Sequence, residues 1–525
     1  MRNRRSAGRS LVSDYAQIIA GLARPEAYPQ EAERFAHIET HASHVFLAGD
    51  FAYKLKKPVD LGFLDFSTLE RRRFFCEEEL RLNRRLAPDT YLAVIPVTGT
   101  PAAPRLGGEG AALEYAVQMR RFPQKKLLSQ RRVSADVVDR IADRVAAFHE
   151  TIPVAAPESA YGTPAAVVAP MLENLAVLRR GTGAGEAARL DALNTWIRIR
   201  ASALAGVMEY RRLDGRVREC HGDLHRGNIA EVEGRLIIFD GIEFGPALRW
   251  IDTISEVAFL AMDLAAGGTP DMARRFVNRY LERNGDYGGV ALLDIYCVYR
   301  AMVRAKVTAI RLTQPGLEAN EVLHYRRELT RYLALAEDFT RDRPRRLLLT
   351  HGRSGSGKTH LSGILRERLH LIHIRSDVER KRLFGLPPEA RATSAALDGI
   401  YTPEATRRTY ARLLELARSI LTGGYGVLVD ATFLRRSQRT PFLALAAGLG
   451  VPFNLLCLQA PESVLRARVA KRVAEGCDAS DADVTILNAQ TAARQPLSPE
   501  EEACAIAVHT HPAADLDDLL QRLDD

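Results

Sequence analysis

Residues 345–368 read Arg-Arg-Leu-Leu-Leu-Thr-His, then Gly352-Arg353-Ser354-Gly355-Ser356-Gly357-Lys358-Thr359, then a helical run from His360 to Arg368. A short apolar strand, a GxxxxGK[ST] loop and a helix in that order fit very few folds. The glycines let backbone N–H groups turn inward around an anion, and the helix N-terminus adds its positive end. Gly352, Ser354, Gly355, Ser356, Gly357, Lys358 and Thr359 are therefore expected to hold nucleotide phosphates, with Lys358 on the terminal phosphates and the Thr359 hydroxyl on Mg2+. Apolar strands at 347–349, 371–374, 427–429 and 453–458, and a fifth at 505–508, alternate with helical segments. That alternation predicts a parallel sheet with crossover helices on both faces.

Three further groups in this half suit phosphoryl transfer. Asp430 ends the strand Val-Leu-Val-Asp, where a carboxylate can hold the Mg2+ shell; the alternative is a helix cap or loop aspartate. Asp377 follows the second strand at the edge where open parallel sheets bind ligands, so it can take a proton from a hydroxyl, or else simply cap the next helix. Arg466, Arg468 and Arg472 form a basic run suited to clamping a phosphoryl group, or to being a solvated face. Together these segments resemble the P-loop kinases of the nucleotide-kinase, polynucleotide-kinase and zeta-toxin kind over about 345–525. That resemblance implies ATP and Mg2+ at Lys358 and Thr359, Asp377 at the phosphoryl acceptor, and lid arginines over the phosphates.

A second constellation precedes it. His221-Gly-Asp223-Leu-His225-Arg-Gly-Asn228 carries D-x4-N, and the strand Leu236–Phe239 leads into Asp240. A kinase-type site needs an Asp to deprotonate the acceptor hydroxyl, and an Asn and a second Asp to hold the metal on ATP. Turn residues are one alternative; a His221/His225 metal pair is disfavoured because Gly222 and Gly227 argue against a helix there. The small lobe should add a strand lysine for the phosphates and a helix glutamate to hold it. Lys54 and Glu79 are the choices, with Lys56 on the same strand face and Glu77 and Glu78 beside Glu79 left open.

HGDLHRGN resembles the catalytic loop of the aminoglycoside phosphotransferase and choline-kinase-like group of protein-kinase-fold enzymes, over roughly 35–335. The resemblance implies Asp223 as catalytic base, Asn228 and Asp240 as metal ligands, and Lys54 as the phosphate-binding lysine. It also lets Glu243 approach the metals and makes Asp252 a buried brace of the catalytic loop. No GxGxxG precedes Lys54, so nucleotide cover must come from another loop, with 39–50 the candidate. The two halves together resemble bacterial fusions of a phosphotransferase-like domain with an AAA-type, ATP-binding P-loop domain.

The expected organisation is a tail and first helix over 1–30, with the first ten residues frayed. A bilobal kinase-like domain follows over 31–340 (small lobe about 31–125, large lobe about 126–340), then a P-loop domain over 341–525, with the boundary in Thr-Arg-Asp-Arg-Pro-Arg-Arg at 340–346. The fold class is thus α+β followed by α/β. Strands are expected near 45–55 and 92–122, a helix over 67–86, mostly helix over 134–340, and loops at 162–169 and 181–185. With 46% hydrophobic and 26% charged residues the chain is of the globular class, and no apolar stretch is long enough to span a membrane. Six scattered cysteines show no CxxC spacing and fit a reducing cytoplasm. The acceptor is expected to be a hydroxyl-bearing small molecule. A net charge of +8 dispersed through both halves does not favour a nucleic-acid end kinase. A third reading is a P-loop ATPase regulated by a non-catalytic kinase-like domain.

Overall fold

Alternating side chains along one strand set up the first part of the molecule. In the computed structural model, which describes residues 14–29, 35–60, 62, 64–181, 184–388, 390, 399–475, 484–511 and 514–524, strand β3 is Phe51–Lys56. Its Tyr53 and Leu55 enter an apolar cluster with Phe46, Val97 and Ala116, which turns Lys54 and Lys56 to the other face. β3 is central in an antiparallel sheet ordered β1-β2-β3-β6-β4-β5, where β1 is Phe35–Glu39, β2 Ser43–Ala48, β4 Tyr91–Thr100, β5 Ala103–Leu106 and β6 Glu114–Arg120. Helix α1, Leu69–Asn83, is capped by Thr68, whose side chain accepts from Arg71 N. It buries Arg72, Cys76, Glu79 and Asn83, a stripe at i, i+4, i+7 and i+11.

The chain divides into two compact units: residues up to Val133 with Thr151–Val167 and Arg211–Asp263, and Ser134–Glu150 with Val168–Tyr210 and everything from Leu264 onward. The segment 340–346 therefore lies inside the second unit. The first unit also holds two antiparallel pairs, β7 (Val217–Glu219) with the distant β10 (Trp250–Asp252), and the hairpin of β8 (Ile229–Val232) with β9 (Arg235–Ile238).

The second unit contains a five-stranded parallel sheet, ordered β12-β13-β11-β14-β15. Its strands are β11 (Leu347–His351), β12 (Leu371–Arg375), β13 (Gly426–Asp430), β14 (Phe453–Gln459) and β15 (Ala505–His509). All five residues of β11 and of β13 are buried, which is why these strands read as unbroken apolar runs. Every strand expected in this half is present; each runs one or two residues further at its C-terminal end, and β13 also starts one residue earlier, at Gly426. No helix among the described residues is long and apolar enough to cross a membrane.

Two expectations need correction. Residues 162–169 are not a loop throughout: helix Pro164–Gly181 begins there. Thr163 Oγ1 accepts from Ala166 N at 3.3 Å and Pro164 starts the helix, a capping arrangement that the glycine and proline content concealed. The same helix continues through Gly181, while 182 and 183 fall outside the described residues, as does the tail expected over the first ten. Strand β1 was not anticipated either; it is an exposed, His- and Glu-containing segment without clear alternation.

Candidate functional site

In the first unit, Lys54, Lys56, Glu79, Asp240 and Glu243 form one ion-paired cluster. Lys54 Nζ lies 2.9 Å from Glu79 Oε1 and 2.6 Å from Asp240 Oδ1. Lys56 Nζ lies 2.8 Å from Glu79 Oε2 and also pairs with Glu243. Glu79, which alone among the three neighbouring glutamates sits on the buried stripe of α1, thus bridges both lysines. Glu77 pairs with Arg73, and Glu78 with Arg81 and Arg249. Burial acts to raise the Glu79 carboxyl, but the two ammonium groups hold it down at about 2. Burial would lower Lys54, yet Asp240 and Glu79 outweigh it and raise the ammonium. Glu243 is pushed up by burial, against the pull of Lys56.

The backbone beneath Asp240 is strained and braced. Asp240 has φ +62°, a left-handed conformation uncommon for a residue with a Cβ. Its N–H donates to Tyr91 Oη at 3.1 Å, and Gly241 N–H donates to Asn83 Oδ1 at 2.8 Å, so α1 and β4 fix the turn that presents the carboxylate.

The loop 221–228 is ordered by its own histidines. His221 Nε2 donates to Phe239 O at 2.9 Å, leaving Nδ1 to accept from Asp223 N at 3.3 Å, and burial keeps this imidazole below its ordinary pKa and neutral. Asn228 Nδ2 donates to Asp223 Oδ2 at 3.0 Å, and His225 Nε2 stands 3.4 Å from the same oxygen. Asp223 and Asn228 are therefore adjacent, and the carboxylate is oriented by two neighbours. Gly222 has φ +88°, and a Cβ there would meet Leu248 O at 2.9 Å. Asp252 is buried, but it does not brace this loop. It pairs bidentately with Arg211 at 2.7 and 2.8 Å, while Glu256 Oε2 accepts the Gly222 N–H at 2.7 Å and Asp263 holds Arg226. Glu256 was missed because its partner is a backbone amide far away in sequence. Residues 39–50, expected to cover nucleotide, form β1, β2 and their turns.

In the second unit the glycine loop runs from β11 into the helix Lys358–Arg368. Gly355 and Gly357 have φ +81° and +88°, and a Cβ on Gly355 would sit 2.7 Å from Leu465 O. Lys358 Nζ donates to Gly352 O and Arg353 O at 3.0 and 2.9 Å, two of its three donors. Burial lowers its pKa, opposed by Asp430 and Asp377 and aided by Arg472, which places all three groups in its field. Thr359 is exposed in the first helical turn. Asp377 is the second residue of helix Ser376–Leu383, whose cap position is Arg375, so Asp377 is not the cap.

The arginines divide. Arg468 donates to Gly355 O at 3.2 Å and Thr510 O at 2.8 Å, supporting the loop backbone. Arg466 pairs at the surface with Glu462 and Asn488, and among the described residues no contact brings it to the loop. Sequence reading also missed Gln490, whose Oε1 accepts from Ser354 N at 2.7 Å and whose Nε2 donates to Ser354 Oγ at 3.0 Å. A cavity of 290 Å³ opens beside Gly352, Ser356, Gln459, Leu465 and Arg494. A larger one of 460 Å³, lined by Arg200, Arg343 and Arg345, lies instead beside residues that precede the strands, away from the loop.

The residues fit a divalent cation at the loop. Asp430 is buried, and its Oδ2 has no hydrogen-bond partner among the described residues. Burial acts to raise its carboxyl, but His373, Lys358 and Arg375 hold it at about 2, so it is anionic. An ionised, under-coordinated buried oxygen in the field of Lys358 suits a metal-bound water or the metal itself. In the first unit Asn228 and Asp240 offer the same hard oxygen chemistry.

A lysine paired to a carboxylate beside an Asp–Asn loop, and a glycine loop with its lysine and buried aspartate, define two sites whose charges and donors suit phosphate and a divalent cation. Residues 347–497 match the family described as AAA domain. The chain belongs to the family of Uncharacterized protein Rv2004c of Mycobacterium tuberculosis (strain ATCC 25618 / H37Rv). It is 31% identical to that protein over 466 residues, 87% of this chain and 90% of the relative. Uncharacterized protein Mb2027c of Mycobacterium bovis matches to the same extent. Among solved structures, amicoumacin kinase hAmiN in complex with AMP-PNP, Ca2+ and Ami aligns at 14% identity and TM-score 0.40, covering 63% of this chain and 96% of that one. A gluconokinase from Sinorhizobium meliloti 1021 aligns at 23% identity and TM-score 0.23, covering 32% and 84%.

Proposed function

We propose that the protein is a two-site, ATP-dependent phosphotransferase in which each site binds Mg·ATP and passes the γ-phosphoryl group to a hydroxyl of a small-molecule acceptor. The observation that supports it best is the pairing of Lys54 with Asp240 at 2.6 Å in the first unit, matched by the shared field of Lys358, Asp430 and Asp377 in the second. At the first site Asp223 would take the acceptor proton, Asn228 and Asp240 would hold the metal, and Lys54, steadied by Glu79, would meet the phosphates. At the second, Asp377 would take the proton, Thr359 and Asp430 would serve the metal, and Lys358 and Arg472 would meet the phosphates. Bound Mg2+ would neutralise phosphate oxygens and align the γ-phosphoryl group. Positioning and charge stabilisation carry such reactions, and both sites are built for that. The test is ATP turnover and label transfer from γ-labelled ATP into a metabolite extract by the Lys358→Ala and Asp223→Ala proteins. Each should retain part of the activity; complete loss in Lys358→Ala alone would show that the first site does not act independently.

A further inference from the structure

β12 is an edge strand of the parallel sheet, and its outer peptide groups meet a side chain instead of another strand. Asn278, in helix Pro270–Asn284 and 2% exposed, accepts from His373 N through Oδ1 at 2.7 Å and donates through Nδ2 to Leu371 O at 3.1 Å. One carboxamide thus satisfies a donor and an acceptor of the edge as a neighbouring strand would. The same helix holds the element that follows the glycine loop: Arg274 Nε donates to Glu367 O at 2.7 Å and Arg275 pairs with Glu367 at 2.5 Å. One turn beyond Asn278, Glu282 lies 3.4 Å from Arg375 and 3.8 Å from Arg366, and Arg366 in turn stands 3.5 Å from His373 Nδ1.

His373 is where these contacts converge. Its amide is held by Asn278, its Nδ1 faces Arg366, and its Nε2 lies 3.5 Å from Asp430 Oδ2. Neither Nε2 nor Oδ2 has another hydrogen-bond partner among the described residues. At 3.5 Å the pair is about half an ångström longer than a good N–H···O bond, so a small displacement of β12 makes or breaks it. Groups behind a metal-ligating carboxylate orient it and tune its affinity, commonly by about 10–100-fold.

We propose that Asn278 is a positioning residue for the glycine-loop site: by fixing β12 it places His373 behind Asp430 and so sets that carboxylate for Mg·ATP. A residue 80 positions before Lys358 in sequence thereby belongs to the nucleotide site. The inference rests on the reading that Asp430 serves the metal of bound ATP.

The test uses the full chain and hydrogen exchange of the 352–359 peptide, titrated with ATP in Mg2+ and in EDTA. In the unmodified protein Mg2+ should lower the ATP concentration needed for protection. In Asn278→Ala that Mg2+-dependent gain should fall at least about five-fold, with the EDTA midpoint unchanged. Asn278→Asp keeps the acceptor for the His373 amide and should retain most of the gain. His373→Gln leaves the Asn278 contacts in place, should lose the gain, and serves equally if Asn278→Ala does not fold. Equal loss in Mg2+ and EDTA, or a full gain in His373→Gln, overturns the proposal. Absence of any Mg2+ effect in the unmodified protein overturns the nucleotide reading itself.

Discussion

Replacing Lys56 by methionine should be among the most damaging single changes in the first unit. Lys56 and Glu79 are both 0% exposed and Glu243 is 8% exposed, so the substitution strands Glu243 and leaves Glu79 with Lys54 alone in a site that water hardly enters. Removing one partner of a buried ion pair costs about 3–5 kcal/mol. At about 2–4 °C per kcal/mol for a unit of this size, the melting transition should fall by roughly 6–20 °C. Lys54→Met should cost less, because its side chain is 16% exposed and its partner Asp240 is 47% exposed. The deficit is also pH-dependent. Glu243 already titrates above its ordinary 4.5 because of burial, and losing Lys56 raises it further. A carboxyl raised on folding stabilises when protonated, and that contribution disappears as pH rises through the folded value. The gap between Lys56→Met and the unmodified protein should therefore widen as pH climbs from about 4.5 towards 8. Calorimetry at about pH 4.5 and pH 8 measures this, with hydrogen exchange over 51–56 and 69–83 assigning the transition. A shift below about 3 °C at pH 8, an equal shift at both pH values, or a larger loss in Lys54→Met would refute the reasoning.

Gly355→Ala should abolish ATP protection of the 352–359 peptide, since φ is +81° and the new Cβ would press on Leu465 O at 2.7 Å; Gly363→Ala, with nothing within 4 Å, should instead stabilise by about 0.5–1 kcal/mol in urea melts. Arg439→Met removes a fully buried bidentate partner of Glu501 and should cost about 3–5 kcal/mol at pH 7 by urea unfolding. Burial opposes ionisation of Glu501, but Arg439 holds its pKa below 4.5, so the gap between variant and parent should narrow as pH falls below that value. Glu256→Ala removes the carboxylate that accepts the Gly222 N–H and should cost about 1–3 kcal/mol with a lower rate of label transfer, whereas Glu256→Gln, which keeps an acceptor, should lie near the parent in both assays.

What could be read from the sequence was whatever one short segment encodes by itself. The glycine loop and the five parallel strands are local signals: a phosphate cradle needs its residues in order, and a strand buried on both faces must be apolar throughout. Alternation likewise put Lys54 and Lys56 on one face of β3, but could not choose between them. The structure shows why: both reach Glu79. The inward face of α1 was harder to see, because Arg72, Cys76, Glu79 and Asn83 make a buried stripe that is mostly polar, and hydrophobic periodicity is silent about such a face. Asp252 was correctly read as buried and wrongly assigned its partner, since burial follows from local apolar neighbours while the Arg211 contact does not.

The sequence alone therefore determined which chemistry the chain can offer: two sets of lysine, carboxylate and amide groups suited to phosphates and metal. Only the tertiary structure decided which groups hold those sets in place. Glu256 behind Gly222, Arg468 and Gln490 on the glycine loop, and Asn278 at the edge of β12 all act through hydrogen bonds between distant segments. A hydrogen bond needs its partner placed within a few tenths of an ångström and suitably aligned, and that placement exists only once separate helices and strands have packed.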